Sequence, residues 1–303
     1  MITTMGRQAP LASSASTEKP YEAATKFCHG NGWPEPVHIR SGMNHVYRSG
    51  HVLVRVGAND PTPQLVLMAY LSERGLDVVS PLDIAPLQYG EWWITAWPWV
   101  DPLAEATIDG ERLGRTVRTL HDLPAASVAG LVPLPEYRSF SWLDIRHTLT
   151  VISTARAVDD STLAVMHNEA TALSNWWDDS TGEGVVVCHA DVHPHNVLVT
   201  ADGQYLIDWD SICLGPRQLD HAALYTWESR WGGPPELYES FNRGYGIDFR
   251  NDGTAELLAR FRNLVATINM VARGIDNSVL RLEADIRLRW WLGDPNAPKW
   301  TAQ

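Results

Sequence analysis

Short segments of alternating or continuous apolar residues in the first hundred positions predict a small β-sheet. This is the pattern of strands that have at least one buried face. Such segments occur at residues 37–40, 46–47, 52–56 and 92–95. Two longer stretches at residues 20–29 and 64–71 predict helices, and Gly75 is the expected end of the second.

The rest of the chain has mainly helical periodicity. From Asp109 onward, Leu113, Val117 and Leu120 recur on one face of a predicted helix that ends near His121. Further helices are predicted at residues 141–157, 160–178, 219–230, 255–273 and 279–291. Residues 1–18 are rich in Ala, Ser and Thr without periodicity, which predicts a flexible tail.

A polar loop and a hairpin interrupt this helical pattern between residues 185 and 208. The apolar run 185–188 predicts a buried strand, and the loop His189-Ala190-Asp191-Val192-His193-Pro194-His195-Asn196 follows it. Asp202-Gly203, between two further apolar runs, is a strong hairpin signal. With these two residues as the turn, Val197 would face Asp208, whereas a loop one residue longer would shift this register by one position. In either case Asp208 would lie beside Asn196.

Three polar side chains of this region have the chemistry that phosphoryl transfer requires. The carboxylate of Asp191 can accept the proton of an attacking hydroxyl, while the Asn196 amide oxygen and the Asp208 carboxylate can hold Mg²⁺ against nucleotide phosphates. Any one of these residues is more often a cap or turn residue. Their joint spacing favours the catalytic interpretation.

The histidines of the loop support a different hypothesis. His189, Asp191, His193 and His195 resemble a ligand set for zinc, which would make the chain a metal-dependent hydrolase. No pair of histidines on a predicted helix accompanies them, and a zinc site would leave Asn196 without a role. The phosphotransfer hypothesis accounts for Asn196 and is therefore preferred.

The composition is that of an ordinary globular protein, and it limits the classes of molecule that the protein is expected to bind. The chain has 303 residues, of which 45% are hydrophobic and 20% charged, and a formal net charge of -12. This charge argues against nucleic acid or an anionic membrane as a partner and is compatible with a cationic substrate. No apolar stretch has the length of a membrane span, no secretory signal pattern is present, and three cysteines form no disulfide framework, so we expect a cytoplasmic protein.

The segment from His189 to Asp220 resembles the catalytic core of the aminoglycoside phosphotransferase and choline kinase family, which is related to the protein kinases. That family shows a His-Gly-Asp-Leu-His-Pro-Gly-Asn run, an Ile-Asp-Trp or Ile-Asp-Phe step and an Asp-Leu-Ala helix start. The corresponding residues here are 189–196, 207–209 and 220–222. His195 stands where the family usually has glycine, which removes no catalytic group.

The resemblance assigns roles to the polar residues. It implies that Asp191 is the catalytic base and that Asn196 and Asp208 ligate Mg²⁺. It further implies that Asp210 is an additional metal or substrate contact. Structural support of the loop is expected from His189, His193 and Asp220.

The resemblance also implies a two-lobed, protein-kinase-like α+β fold. After the tail, an N-lobe at residues 19–96 would hold a small antiparallel sheet with a helix. A hinge at residues 97–101 would lead to a larger, mainly helical C-lobe at residues 102–303. The catalytic loop, the metal site and the acceptor-binding helices would all belong to the C-lobe.

Nucleotide binding is expected between the lobes. Backbone groups of the hinge residues Trp97 and Trp99 would meet the base, and Arg55 would clamp the α- and β-phosphates as the β3 cation of the family does. Glutamate usually pairs with that cation, but here its position holds Gln64, which cannot neutralise a charge. The turn expected to lie over the phosphates contains Ser41, Gly42 and Asn44.

The segment 207–209, which contains Asp208, is called the metal loop below. In this family, helices that follow the metal loop build the acceptor pocket. Candidate acceptor contacts are Tyr225, Trp227, Glu228 and Trp231, although core packing is the simpler explanation for the tryptophans. The sequence thus predicts a kinase that uses ATP or GTP, with Mg²⁺, to phosphorylate a hydroxyl of an aminoglycoside or a related amino-sugar or cationic antibiotic. A kinase of choline or of a sugar is one alternative. A nucleotide-binding pseudokinase module, which Gln64 favours, is another.

Overall fold

The computed structural model describes residues 18–41, 44–103 and 106–301. Of the predicted flexible tail, only Glu18 belongs to the described residues. Gly42, in the predicted turn over the nucleotide phosphates, lies outside them.

A five-stranded antiparallel sheet forms the N-lobe, in the order β1-β2-β3-β5-β4. Every strand predicted from the apolar pattern is present. The short β4 was not predicted, because three residues show no period. In the ladder between β3 and β5, Arg55 pairs with Thr95, so Arg55 lies on an interior strand. The strands are β1 (Val37–Ser41), β2 (His45–Ser49), β3 (Val52–Gly57), β4 (Leu87–Tyr89) and β5 (Trp92–Pro98).

Two helices of the N-lobe have different surroundings. α1 (Glu18–Gly30) covers the sheet, where Phe27 packs in one cluster with Val54 and Ile94. α2 (Thr62–Glu73) instead contributes Leu67 and Leu71 to a cluster that is otherwise built mainly by the C-lobe. The apolar side of α2 is therefore buried between the lobes, and its position depends on both of them.

The C-lobe is mainly helical. α3 begins after Asp109, whose side chain caps the helix by accepting a hydrogen bond from the Arg112 amide at 2.9 Å. α3 and α10 pack closely because Gly114 and Gly244 lack side chains, and a Cβ at either would collide with the backbone of the other helix. The helices are α3 (Gly110–His121), α4 (Ala125–Ala129), α5 (Ile145–Thr154), α6 (Asp160–Ala172), α7 (Trp176–Ser180), α8 (Ala222–Tyr225), α9 (Trp227–Trp231), α10 (Glu236–Tyr245), α11 (Gly253–Arg273) and α12 (Ser278–Trp291).

The structure divides three helices that the sequence predicts as continuous. The stretch 141–157 begins with a 3₁₀ turn and becomes α5 only after Asp144, which caps that helix through the His147 amide. The stretch 160–178 consists of α6 and part of α7. The stretch 219–230 consists of the end of a 3₁₀ helix, then α8 and most of α9. The helix α10 was not predicted.

The catalytic segment contains two short antiparallel ladders. β6 (Val186–Cys188) pairs with β9 (Cys213–Gly215), and β7 (Val197–Val199) pairs with β8 (Gln204–Leu206). The predicted hairpin is present, but its predicted register is wrong, since Val197 pairs with Leu206 and not with Asp208. Thr200 closes the turn by donating its backbone N–H to the Gly203 carbonyl at 2.8 Å.

The turn thus comes one residue earlier than predicted, and Asp208 still follows directly on the hairpin. Ile207 donates its backbone N–H to the Asn196 carbonyl at 2.9 Å, which extends the ladder to the residue before Asp208. An antiparallel sheet next to a helix-rich lobe confirms the predicted fold class. Within the described residues, no helix is both long enough and apolar enough to span a membrane.

Candidate active site

One buried carboxylate, that of Asp220, anchors the loop that begins at His189. It accepts hydrogen bonds from the backbone amides of His189 at 2.9 Å and of Ala190 at 2.6 Å, and it contacts His121 Nε2 at 3.0 Å. Ala190 has a φ of 65°, a conformation that costs a residue with a side chain some free energy. The two amide hydrogen bonds hold the loop in this conformation.

The electrostatics of Asp220 agree with this anchoring position. Burial alone would raise the pKa of Asp220, but hydrogen bonds and charge from His121 and His189 outweigh it and lower the pKa. The carboxylate therefore stays ionised and remains a strong acceptor for the two loop amides.

Asp191 lies on this loop with its carboxylate held from two sides. Arg262 of α11 donates from Nη2 to Oδ1 at 2.6 Å, and Asn196 donates from Nδ2 to Oδ2 at 3.0 Å. His193 Nε2 lies 3.4 Å from Oδ1. Burial would raise the pKa of Asp191, but the neighbouring His193 and Arg262 lower it well below its ordinary value. The predicted base is thus a fixed, ionised carboxylate.

Asn196 is oriented by its amide nitrogen. That nitrogen donates to the Asp191 backbone carbonyl at 2.9 Å as well as to the Asp191 side chain. The Asn196 side chain is fully buried, and its Oδ1 has no hydrogen-bond partner among the described residues. A buried amide oxygen without a donor is costly, and a bound cation or water would satisfy it.

Asp208 follows the hairpin in a left-handed conformation, with φ 69° and ψ 60°. Its side chain makes no hydrogen bond within the described part of the chain. Burial and the nearby carboxylates Asp210 and Asp191 raise the pKa of Asp208 to about 7. Arg55 and Arg40 act in the opposite direction but do not outweigh these effects, so the carboxylate lies in a mainly negative environment.

Asn196 and Asp208 together fit a hard divalent cation. Mg²⁺ and Ca²⁺ prefer carboxylate and amide oxygens, and these two residues supply one of each next to the Asp191 loop. A cation would satisfy the Asn196 Oδ1 and balance the charge around Asp208. The assignment of Mg²⁺ to these two residues stays a prediction.

Arg55 on β3 has partners in both lobes. Its Nη2 donates to Asp210 Oδ1 and Oδ2 at 3.0 and 2.8 Å, and its Nη1 donates to Gln64 Oε1 at 3.1 Å. Gln64 of α2 also donates from Nε2 to Asp210 Oδ1 at 2.7 Å. Asp210, which was predicted to contact metal or substrate, thus lies in a hydrogen-bonded triad with Arg55 and Gln64.

The other predicted nucleotide residues lie around this triad and along the hinge. Asn44 lines the same cleft as Arg55, whereas the Ser41 hydroxyl contacts His38 and His45. Trp97, predicted as a hinge residue, is near the end of β5, is largely buried and donates from Nε1 to Thr95 Oγ1 at 3.0 Å.

Trp99 follows the strand and begins the connection to the C-lobe. Its backbone N–H donates to the His51 carbonyl at 2.8 Å, and the Arg48 guanidinium lies 4.3 Å from its ring centroid. The strand β5 thus ends at Pro98, and the hinge at residues 97–101 stays a prediction.

The predicted acceptor residues separate into two groups. The Trp227 ring is parallel to the His193 ring of the catalytic loop, with the ring centroids 6.0 Å apart, and Trp231 stacks on Trp227 with a centroid distance of 5.4 Å. Tyr225 instead donates to the Arg250 carbonyl at 3.2 Å, and Glu228 is exposed on α9. Of this set, Trp227 stacks directly on the loop that carries Asp191, and Trp231 is joined to that loop through Trp227.

The histidines of the loop have separate structural roles. His189 Nδ1 accepts from the Asp191 backbone amide at 3.2 Å, and its Nε2 donates to the Ile207 carbonyl at 3.1 Å. Both ring nitrogens are occupied, and burial lowers the pKa of His189, so a neutral ring fits these two bonds. His195 packs edge-on against Trp227.

Within the described residues, only one group has carboxylate, imidazole or thiol atoms close enough together to hold a metal ion, and it comprises His121, Cys188 and Asp220. The set proposed for zinc is therefore not assembled. His121 and Asp220 are already joined to each other and to the loop, and Cys188 donates to the Gly215 carbonyl at 3.4 Å. This group holds the loop in place.

Two contacts of the loop were not predicted from the sequence. Arg262 reaches Asp191 from the middle of α11, and His121 reaches Asp220 from the end of α3. The one signal for Arg262 is an arginine between Leu258 and Val265 on a mainly apolar helix face, since a buried cation needs a partner. Its partner could not be read from that pattern.

Solved structures with the same architecture include several phosphotransferases. A structure of spectinomycin phosphotransferase APH(9)-Ia with ADP and spectinomycin matches with a TM-score of 0.66 at 17% identity, over 89% of this chain and 93% of that chain. Amicoumacin kinase hAmiN, in complex with AMP-PNP, Ca²⁺ and Ami, matches with a TM-score of 0.64 at 14% identity, over 95% and 98% of the two chains.

A choline/ethanolamine kinase family protein from Mesorhizobium loti matches with a TM-score of 0.61 at 18% identity, over 87% of this chain and 88% of that chain. No curated protein matches the chain in sequence. A family model, that of the phosphotransferase enzyme family abbreviated APH, matches residues 57–258, which is more than half of the chain. The chain therefore belongs to this phosphotransferase enzyme family and is a small-molecule phosphotransferase with a protein-kinase-like fold.

Proposed function

We propose that this phosphotransferase moves the γ-phosphoryl group of ATP or GTP to a hydroxyl of an aminoglycoside or a related amino-sugar or cationic antibiotic. The arrangement around Asp191 carries the proposal. Its carboxylate is fixed by Arg262 at 2.6 Å and by Asn196 at 3.0 Å. The Oδ1 of Asn196, which has no partner among the described residues, lies on the same short loop. This combination serves phosphoryl transfer directly.

Asp191 would orient the acceptor hydroxyl and receive its proton. Arg262 and Asn196 each occupy one of its oxygens, and the remaining lone pairs can accept a hydrogen bond from the substrate. The lowered pKa of Asp191 makes it a weak base. The proton would therefore move to Asp191 only as the hydroxyl becomes acidic through its bond to phosphorus, and the earlier contribution of the residue is positioning.

The triphosphate would lie between Arg55 and the metal loop. Arg55 would contact phosphate oxygens from the N-lobe, as a planar guanidinium does well. Asn196 and Asp208 would hold Mg²⁺, whose chemistry when bound is to neutralise charge on the phosphate oxygens. The relatives with bound nucleotide support this placement at the level of the fold.

Two observations support a cationic acceptor. The formal net charge of -12 attracts cationic ligands. Trp227 is buried between His193 and Trp231, whereas Trp231 is only partly buried and offers part of its indole to a sugar ring. The indole of Trp231 also favours a second candidate, a choline-like alcohol, because a quaternary ammonium group binds aromatic rings by cation–π attraction.

An acceptor screen tests the proposal. Purified protein would be incubated with ATP or GTP and a panel of aminoglycosides, amino sugars, peptide antibiotics and choline-like alcohols, with product mass measured. We expect one acceptor class to accelerate nucleotide consumption well above the rate in water alone, and Asp208→Asn to abolish this gain. Tight nucleotide binding without transfer to any acceptor would favour the pseudokinase alternative.

A further inference from the structure

Every nitrogen of the Arg55 guanidinium has a protein partner. Nη1 donates to Gln64, and Nη2 donates to both oxygens of Asp210. With its amide oxygen turned toward the guanidinium, Asn44 accepts from Arg55 Nε at 3.0 Å. A cation proposed to meet phosphate is thus held in one orientation before any phosphate arrives.

Among these three partners, only Asp210 carries a charge. Gln64 and Asn44 belong to the N-lobe, as Arg55 does, whereas Asp210 follows the metal loop of the C-lobe, 155 residues further along the chain. The ion pair is screened only weakly, because the Arg55 and Asp210 side chains are 23% and 19% exposed. The charge that balances this N-lobe cation therefore comes from the other lobe.

We propose that Asp210 is the positioning residue for Arg55, with Gln64 as the neutral bridge between them, so that the phosphate clamp is assembled only when the two lobes are closed. The inference rests on the proposed function, because it assumes that Arg55 meets the nucleotide phosphates. It gives Asp210 a role apart from metal binding, and it explains how the site works with Gln64 in place of an acid.

The hydrogen-bond pattern of Asp210 supports this role. Its Oδ1 accepts from both Arg55 and Gln64, and its Oδ2 accepts from Arg55. Asp208, two residues earlier, accepts no side-chain hydrogen bond within the described residues. One acid of the pair is engaged by protein donors, and the other is open to a cation.

The surrounding cleft leaves room for phosphate beside the triad. A cavity of about 220 Å³ is lined by Asn44, Arg55 and Gln64 from the N-lobe and by Trp209 and Asp210 from the C-lobe. Asn44 is an uncharged partner of Arg55 that does not contact Asp210, so it can be exchanged for a phosphate oxygen without loss of the ion pair. Nucleotide binding would then replace Asn44 at Arg55 and leave Asp210 in place.

A charge-relocation experiment tests the proposal. Asp210→Asn leaves Arg55 without a counter-charge, and Gln64→Glu gives it a second one. The double variant Gln64→Glu/Asp210→Asn moves a single carboxylate from the C-lobe to α2. Calorimetric affinity for ADP and for ATP, with and without Mg²⁺, would be measured for each protein together with KM and kcat.

We expect Asp210→Asn to weaken nucleotide affinity about tenfold, the equivalent of one charge-assisted hydrogen bond. The double variant should recover to within about threefold of the unmodified protein, because Arg55 again has one acid partner. The change should fall on nucleotide KM more than on kcat, and it should persist without Mg²⁺.

Asp77→Asn serves as the matched control. Asp77 makes a bidentate ion pair with Arg112 of α3, at 2.8 and 2.6 Å, and this pair also joins the α2–β4 segment to the C-lobe. Asp77 lies outside the site, so its variant should lower thermal stability but leave nucleotide affinity unchanged. An equal loss of affinity in Asp77→Asn would overturn the proposal in favour of general lobe loosening.

Two further outcomes would overturn it. The first is a double variant that binds nucleotide no better than Asp210→Asn. The second is a defect confined to Mg²⁺-containing samples, which would make Asp210 a metal ligand. Failure of the proposed function is distinguishable from both, since the unmodified protein would then bind no nucleotide or transfer no phosphoryl group.

Discussion

Asp191 and Asp208 are two carboxylates of one site in opposite environments. Asp191 is held by Arg262 and Asn196 and has a pKa well below its ordinary value. Asp208 has no side-chain hydrogen bond within the described residues, and burial together with Asp210 and Asp191 raises its pKa to about 7. The protein itself supplies the partners of the first carboxylate but not those of the second.

This difference indicates which part of the site the fold completes. The catalytic loop is organised by Asp220, His121 and Arg262, all of which belong to the C-lobe. Around Asp208 the negative charge is only partly offset by Arg55 and Arg40, and a bound cation would offset it further. We therefore expect replacement of Asp191 to impair turnover, and neutralisation of Asp208 to leave the free energy of unfolding undiminished.

The largest expected effect is on turnover when Asp191 is replaced. Asp191→Ala should reduce kcat by about 10²–10⁴-fold, the usual contribution of a positioned base, and should leave nucleotide affinity nearly unchanged. Single-turnover kinetics together with calorimetric nucleotide titration would measure both quantities. Full activity in this variant would show that Asp191 is not the base.

The second-largest effect is expected on the free energy of unfolding when Arg262 is replaced. Arg262→Met leaves the Asp191 carboxylate buried without its strongest partner, which should lower the free energy of unfolding by about 3–5 kcal/mol. Asp191→Asn in the same chain should restore most of the loss, because a neutral amide does not need a counter-charge. Equal stability of the single and double variants in urea would contradict the pairing.

Acid should lower the free energy of unfolding through His221, the residue that follows the loop anchor Asp220. His221 is enclosed by the rings of Phe241, Tyr245 and Phe249, and burial lowers its pKa from 6.5 to about 3. Between these values the unfolded state binds more protons, so stability should fall as pH falls from about 6.5 toward 3, by up to about 1.4 kcal/mol per pH unit.

Urea unfolding at several pH values would measure this dependence. His221→Phe should flatten the curve, because the aromatic surroundings accept a ring that cannot be protonated. His147, an exposed histidine of α5, offers the matched control, and His147→Gln should leave the slope unchanged. An unchanged slope in His221→Phe would assign the acid sensitivity to other groups.

The smallest effect is expected on stability when Asp208 is neutralised. Asp208→Asn removes a charge that faces other carboxylates and breaks no side-chain hydrogen bond within the described residues. Burial and the neighbouring carboxylates disfavour the charged form of Asp208, so the free energy of unfolding without metal should not fall and should rise by on the order of 1 kcal/mol at pH 7 and above. A loss as large as that of Arg262→Met would mean that the two carboxylates are equally integrated into the fold.

The local parts of the fold followed from the sequence because they depend on neighbouring residues. The alternation at residues 52–56 became β3, and Asp109 caps α3. The register of the β7–β8 hairpin did not follow, because Thr200 closes the turn with its backbone and also accepts from the Gly203 amide through Oγ1 at 3.2 Å. A side chain outside the Asp-Gly pair thus determined the turn.

Partners that are distant in the sequence could not be predicted from neighbouring residues, for a different reason. The sequence showed that Gln64 could not balance Arg55, yet nothing near either residue pointed to Asp210. Likewise, the segment 189–196 predicted a reactive loop, but the arginine that contacts Asp191 comes 71 residues later. Such pairs arise from how the lobes and α11 pack, and packing has no local pattern.

Because Asp220 anchors the catalytic loop, the loop loses its conformational entropy before any substrate binds. The amides of His189 and Ala190 are fixed by a carboxylate of the same lobe, so the loop becomes ordered when the C-lobe folds. Substrate binding then has no further ordering of this backbone to drive. Each catalytic cycle starts from a loop that is already in place, and the left-handed backbone of Ala190 is maintained from one turnover to the next.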